Sequence, residues 1–164
     1  MSETSPIRFA VGTFEHWQQL QKATKDLRRH GLDPRGFTYL AVRRSFNAGI
    51  VWTDAPLLVL EFQDAPEPIS CTAGALSDCL QARIAAGART LKEALAYWLL
   101  PRHAAHFQQM IDQGKIQLWI KLARADEERS AYESLLADSS NSVGVHDLTP
   151  RVAGASLRQF SGRA

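Results

Sequence analysis

The sequence predicts an α+β sandwich in which two strand–helix–strand units share one sheet. Near the start, an apolar run at 7–14, an amphipathic stretch at 16–30 and a second apolar run at 37–42 follow one another. Near the end, residues 103–148 alternate between helical and strand periodicity twice. These two observations define the fold class, because both ends of the chain then contribute strands and covering helices to one core.

The first unit opens with a strand at 7–14, whose Phe9 and Val11 face one way. Ala10 and Gly12 face the other way and are small enough for another element to pack closely there. The stretch 16–30 repeats apolar residues at helical spacing, and a strand rich in aromatic residues follows at 37–42. The segment therefore predicts βαβ.

The closing unit begins with a helix from 103 whose apolar positions share one side, and Gly114 can end it. In the strand 116–122, Ile and Leu alternate with Gln, Trp and Lys, so we expect one buried face. Asp126 is the predicted N-cap of the next helix. Its apolar stripe consists of Ala131, Tyr132, Leu135 and Leu136, and a short strand at 143–145 precedes Pro150.

The middle of the chain is predicted as an addition to the sheet followed by a helical insertion at about 70–101. A turn at 47–49 leads to short strands at 50–52 and 57–62, which would form a hairpin or meander. One helix is expected at 72–88, interrupted near Gly87. Thr90 and Glu93 then form a capping-box pattern for a second helix, which Pro101 ends or kinks.

Together these elements give βαβ, a helical insertion and αβαβ, and the leading architecture is a ferredoxin-like sandwich with an antiparallel or mixed sheet. Residues 1–150 are expected to form a single α+β domain. The tail at 151–164 holds three arginines and no acid, so we expect it to be flexible or loosely packed.

Composition excludes several classes of function. The 164 residues are 45% hydrophobic and 22% charged with a formal charge of +2, which is ordinary for a globular protein and lacks a concentrated basic footprint for nucleic acid. No apolar run reaches the roughly 20 residues of a membrane span, and no signal peptide is recognised at the start. Cys71 and Cys79 match neither a zinc pair nor a redox motif. The expectation is a cytoplasmic protein without membrane or nucleic-acid partners.

Two segments also resemble a known family. The opening RFAVGTFEHWQQLQKATKDLRRHGL and the closing stretch from Leu100 to Leu148 resemble the bacterial general (heat-induced) stress protein family of small ferredoxin-like domains. The matching phrases are Val11-Gly12-Thr13-Phe14, Gly114 to Leu122 and Asp126 to Asp147. Where many members carry a glycine-rich hydrophobic segment, residues 72–100 are rich in alanine and leucine with interspersed charges. The resemblance implies a role in stress response or regulation, and it carries over no catalytic residues.

The candidate ligand-binding residues lie around the helix that starts near 103. They are Trp98, His103, His106 and Phe107. The two histidines are three apart and share a helix face, a spacing that also occurs in metal sites, but His146 or Asp112 would have to complete such a set. No catalytic motif, metal site or cofactor motif is recognised.

Three functional hypotheses follow. The first is a non-enzymatic interaction module, a homodimer through the sheet, because Tyr39 and Trp119 make the strands apolar on both faces. The second is a small-molecule sensor that uses the cleft between the sheet and the inserted helices. The third is an enzyme, which a pocket uniting His103 or His106 with His146 or Asp147 would favour.

Overall fold

The computed structural model describes residues 5–47, 55–139 and 143–149, and these form one six-stranded sheet with helices on both faces. The strands are β1 (Ile7–Phe14), β2 (Phe37–Val42), β3 (Leu57–Leu60), β4 (Ile69–Thr72), β5 (Ile116–Leu122) and β6 (Val143–Leu148). The α-helices are α1 (Trp17–Arg29), α2 (Arg43–Asn47), α3 (Ala75–Ala85), α4 (Leu91–Leu95), α5 (Pro101–Asp112) and α6 (Ala125–Asp138).

The strand order is β3-β4-β2-β5-β1-β6, and every pairing among the described strands is antiparallel. β5 lies between β1 and β2, and β1 lies between β5 and β6. The two strands of each strand–helix–strand unit are therefore separated by one strand, and that strand belongs to the other unit. The α+β class is confirmed, and of the two predicted kinds of sheet the antiparallel one is found.

Two separate cores lie on the two faces of this sheet. One core joins α1 and α6 to the alternate residues Ile116, Leu118 and Ile120 of β5. The other joins the helices of the insertion to the opposite face, where Trp119 is fully buried. Helices of the same chain thus cover the face of β5 that carries Trp119. Tyr39 and Trp119 are both buried within the chain, so they no longer support the dimer hypothesis.

Close packing against β1 depends on Gly12, as its small size predicts. A Cβ at this position would lie 2.9 Å from Leu135 Cδ2 on α6, closer than side chains approach in folded proteins. The backbone of Gly114, with φ +85°, lies in the left-handed region just after α5 ends. Glycine is favoured there because it has no Cβ to clash.

Several predicted boundaries in the middle of the chain are wrong. The insertion at 70–101 does not begin as a helix, because Ile69–Thr72 forms β4 and pairs with β2 and β3. Residues 43–47 form the short helix α2. α4 already ends at Leu95, and Pro101 begins α5 instead of ending its predecessor, since the first helical position needs no backbone donor.

Two predictions about α6 are also wrong. Arg124, not Asp126, occupies the N-cap, and the Glu127 carboxylate accepts hydrogen bonds from the backbone N–H groups of Ala123 and Arg124. The buried stripe of α6 is narrower than predicted, because Tyr132 and Leu136 are exposed. The predicted strand at 50–52 and the predicted tail at 151–164 lie outside the described residues.

Candidate functional site

The helix α5 presents three of the candidate residues on neighbouring positions of one side. His103 and Phe107 are separated by four residues and His106 precedes Phe107, so their side chains emerge about one turn apart. Phe107 is buried against the core, whereas both histidines are half-buried at its margin. The helix therefore offers two imidazoles beside an aromatic ring at the edge of the sheet.

The edge strand β6 supplies the opposite wall. His146 pairs with Phe9 of β1 and Gly144 pairs with Val11, so both face the same side of the sheet as the core beneath α5. Asp147 faces the other side, where both of its carboxylate oxygens accept hydrogen bonds from Arg8 at 2.9 and 3.0 Å. Strand alternation thus places His146 in the site and keeps Asp147 out of it.

Together α5 and β6 enclose a cavity of about 240 Å³, which we call the histidine pocket. Its lining residues are His103, His106, Phe107, Val143, Gly144 and His146. The His103 and His146 rings lie 5.8 Å apart between centroids, and Phe107 meets His146 edge to face at 5.6 Å. A Cβ on Gly144 would lie 3.0 Å from His146 Nε2, so the absence of a side chain there makes room for the imidazole.

A hydrogen-bonded residue beneath the pocket helps to fix Phe107. Gln117 is fully buried, accepts a hydrogen bond from Trp119 Nε1 at 3.1 Å and donates one to the Phe107 carbonyl at 3.4 Å. The Trp119 ring also packs on Phe107 with centroids 5.6 Å apart, and on Phe9 at 5.7 Å. The floor of the pocket is therefore continuous with the core of the insertion.

The pocket favours the uncharged form of His146. Burial lowers the pKa of His146 below its usual value, and the neighbouring His103 lowers this pKa further, while Asp147 acts weakly in the opposite direction. A neutral imidazole both donates and accepts a hydrogen bond, so it suits a polar ligand or a proton-accepting role. Among the described residues that line the cavity, none is a carboxylate, hydroxyl or thiol.

Trp98 does not line the histidine pocket, although it was predicted together with the α5 residues. It lies between α4 and α5, where its Nε1 donates to Thr149 Oγ1 at 2.8 Å and its ring meets Tyr97 edge to face. Trp98 thus anchors the chain after β6. Conversely, Val143 and Gly144 line the pocket without having been predicted, and only the register of β6 against β1 places them there.

The two cysteines are structural. Cys71 on β4 and Cys79 on α3 are both free and buried in the core under the insertion. Burial, reinforced by the negative charge of Asp78, raises the pKa of each thiol to about 12. Neither forms a reactive thiolate near neutral pH.

Within the described part of the chain, no three or more histidine, cysteine, aspartate or glutamate side chains are arranged to hold a metal ion. None of the described helices has the length and apolar character that a membrane crossing requires.

A second cavity of about 300 Å³ lies at the opposite end of α5, lined in part by Glu15, Trp17 and Ser45. Its polar groups already bind one another: Lys115 pairs with Glu15 at 3.2 Å, and Trp17 Nε1 donates to the Ser45 carbonyl. The histidine pocket is the better candidate, because it combines three imidazole side chains with the aromatic ring of Phe107.

Comparison of the chain with models of known protein families, with curated proteins and with solved structures gave no match.

Proposed function

We propose that this protein is a non-enzymatic domain that binds a small molecule in the histidine pocket and serves as a regulatory sensor. The observation that carries the proposal is the convergence of α5 and β6, which brings His103, His106 and Phe107 together with His146 around one cavity. At about 240 Å³ the cavity is slightly smaller than the roughly 300 Å³ at which pockets for drug-sized ligands begin. The expected ligand is correspondingly small.

The architecture proposed for this function is a ferredoxin-like unit with an added layer. The support is the order β2-β5-β1-β6, in which two strand–helix–strand units interleave with α1 and α6 on one face. The insertion and the helix α5 that follows it cover the second face, and α5 forms one wall of the pocket. A role in stress response is implied by the family resemblance of the two ends, and a cytoplasmic location is supported by the two free, buried thiols.

Binding is favoured over catalysis by the chemistry of the pocket. The pocket unites His103 and His106 with His146, the grouping that would favour an enzyme. Imidazoles can serve as general acid and general base, but the described lining residues add no hydroxyl, thiol or carboxylate that could act as a nucleophile. Asp147, the acid nearest in sequence, is engaged by Arg8 on the other face of the sheet.

The experiment is a fragment screen by ¹H–¹⁵N NMR on the wild type and on Gly144→Val. The added side chain would displace the His146 ring and narrow the cavity, while valine suits a strand. We expect hits that shift the amides of 143–146 in the wild type and lose these shifts in the variant. Glu61→Val is the control, because it introduces the same residue at an exposed position beside the opposite edge of the described sheet. A screen with no hit at 143–146 would contradict the proposal.

A second candidate function is self-association through the sheet edge. Among the described strands, β3 lies at one edge of the sheet and exposes Leu57 and Val59, with 45% and 39% of their surface accessible. Unpaired edges with apolar side chains favour pairing with another chain. Sedimentation of the wild type and of Val59→Lys tests this: a dimer that the lysine dissociates supports it, and a monomeric wild type rules it out.

A further inference from the structure

The ionisable side chains that line the described pocket are all bases. His103, His106 and His146 contribute three imidazoles, and the nearest carboxylate in the strand, Asp147, is turned away and bound by Arg8. A proton taken up by the pocket therefore has no carboxylate in the described wall to balance it. An anionic ligand supplies the missing charge, whereas a cationic ligand would be repelled by any protonated imidazole.

The N-terminal end of α5 also favours an anionic ligand. His103 is the third residue of this 12-residue helix, so it lies in the first turn. Backbone N–H groups at a helix start carry partial positive charge, which stabilises anions nearby. This contribution is secondary to the imidazoles, because the His103 and Ala104 N–H groups already donate to the Leu100 carbonyl.

The remaining wall of the pocket is apolar and aromatic. Phe107 lines the cavity beside His146 and is held from beneath by Trp119, while the Val143 side chain packs on the other face of the sheet, against the core under α1 and α6. A flat ring can pack on Phe107 while a polar group on the same ligand reaches the imidazoles. The site thus has one face for an aromatic ring and another for an acceptor of hydrogen bonds.

We propose, on the basis of the function proposed above, that the histidine pocket binds a small aromatic carboxylate whose carboxylate accepts hydrogen bonds from His103 and His146 while its ring packs on Phe107. Binding is then coupled to the uptake of a proton by His146. The charged and titratable groups around His146 are His103 and His106 on α5, Arg8 on β1 and Asp147 on its own strand, with Glu128 of α6 bound to Arg8.

This coupling makes the affinity depend on pH in a defined direction. Free His146 is neutral near pH 7, since burial lowers its pKa, and a bound carboxylate raises that pKa again. Between the free and the bound pKa, the association constant should increase by about tenfold for each unit by which the pH falls. A neutral ligand of the same shape should show no such dependence.

The test compares benzoate with benzamide, its uncharged analogue, by calorimetry and by NMR of the histidine rings at pH 6 and pH 8. We expect benzoate to bind more tightly at pH 6, to shift the His103 and His146 ring signals and to lose about tenfold or more of its affinity at pH 8. Benzamide should bind much more weakly at pH 6. His146→Gln and His103→Gln should abolish the preference for benzoate, whereas His30→Gln, at an exposed position beyond α1, should preserve it.

Each alternative result has a distinct meaning. Equal binding of benzamide and benzoate, or affinity independent of pH, would overturn the anion inference and leave the proposed binding function intact. Binding of inorganic phosphate or acetate as tight as that of benzoate would overturn the aromatic part of the inference. If neither probe binds and the fragment screen also finds no hit at 143–146, the proposed function itself fails.

Discussion

Replacing Gln117 by leucine tests the polar contact on which the floor of the pocket rests. Gln117 is fully buried on β5, and its side-chain oxygen accepts a hydrogen bond from the Trp119 indole N–H at 3.1 Å. Leucine has nearly the same volume but no acceptor. The Gln117→Leu variant therefore buries an indole N–H without a partner while leaving the packing almost unchanged.

The expected cost follows from this geometry. An unsatisfied buried donor costs about 1 to 3 kcal/mol. The second bond of Gln117, to the Phe107 carbonyl, is 3.4 Å long and should add little. We expect the free energy of unfolding to fall by about 2 kcal/mol, which lowers the melting temperature by roughly 4 to 8 °C for a chain of this size.

A double-mutant cycle separates the hydrogen bond from packing. Trp119→Phe removes the donor, so Gln117→Leu should cost less in that background than in the wild type. The difference should be about 1 to 2 kcal/mol, measured by urea denaturation followed by circular dichroism. A coupling energy near zero, or a Gln117→Leu variant as stable as the wild type, would refute the role assigned to this contact.

Three further predictions concern packing, pH and the connection of α6 to the sheet. Gly12→Ala places a Cβ 2.9 Å from Leu135 Cδ2, so urea denaturation should show a loss of about 1 to 2 kcal/mol, and this loss should be smaller when Gly12→Ala is made in a Leu135→Ala background. Because the folded-state pKa of His146 is lowered, the unfolded state binds more protons as the pH falls through about 6.5. Wild type should therefore lose more stability than His146→Gln between pH 7.5 and 5, and parallel curves would contradict this. Ser139→Ala removes a hydroxyl that donates to the Thr13 carbonyl at 2.6 Å and accepts from its N–H at 3.2 Å, so amide exchange at Thr13 should accelerate and stability should fall by about 1 to 2 kcal/mol.

Local periodicity was sufficient to predict the strands and helices of the two outer units, although not the N-cap or the full apolar stripe of α6. In β5, Ile116, Leu118 and Ile120 alternate with other residues and face one core, as expected. The helix from 101 to 112 follows its apolar spacing, and Gly114 adopts the positive φ that its position predicts. These features depend on interactions within a few residues, and for that reason a single sequence specifies them.

The second face of the sheet could not be predicted in the same way. Gln117 and Trp119 have the pattern of an exposed or shared face, and only the return of the insertion over β5 buries them. β4 was missed because four residues between prolines and a helix carry little periodic signal. Such features depend on contacts between segments far apart in the chain.

In the candidate site, too, local patterns predicted some of the residues, whereas long-range contacts determine the others. Helical spacing grouped His103, His106 and Phe107, and all three line the same cavity because they lie on one helix. His146 and Gly144 join them only through the register of β6 against β1, which no local pattern specifies. Trp98 was grouped by proximity in sequence, but the chain turns between α4 and α5, and its indole binds Thr149 instead.

The histidine pocket exists only when α5 is packed on the sheet, because the pocket lies between α5 and β6. One wall is the edge strand β6, and the other is α5, which reaches the sheet through Phe107 on Trp119. A ligand between His146 and Phe107 therefore requires α5 to be docked on the sheet. By mass action such a ligand stabilises the docked arrangement over any state in which the insertion is loosened. Ligand binding would therefore stabilise the packing of the α3–α5 layer on the sheet.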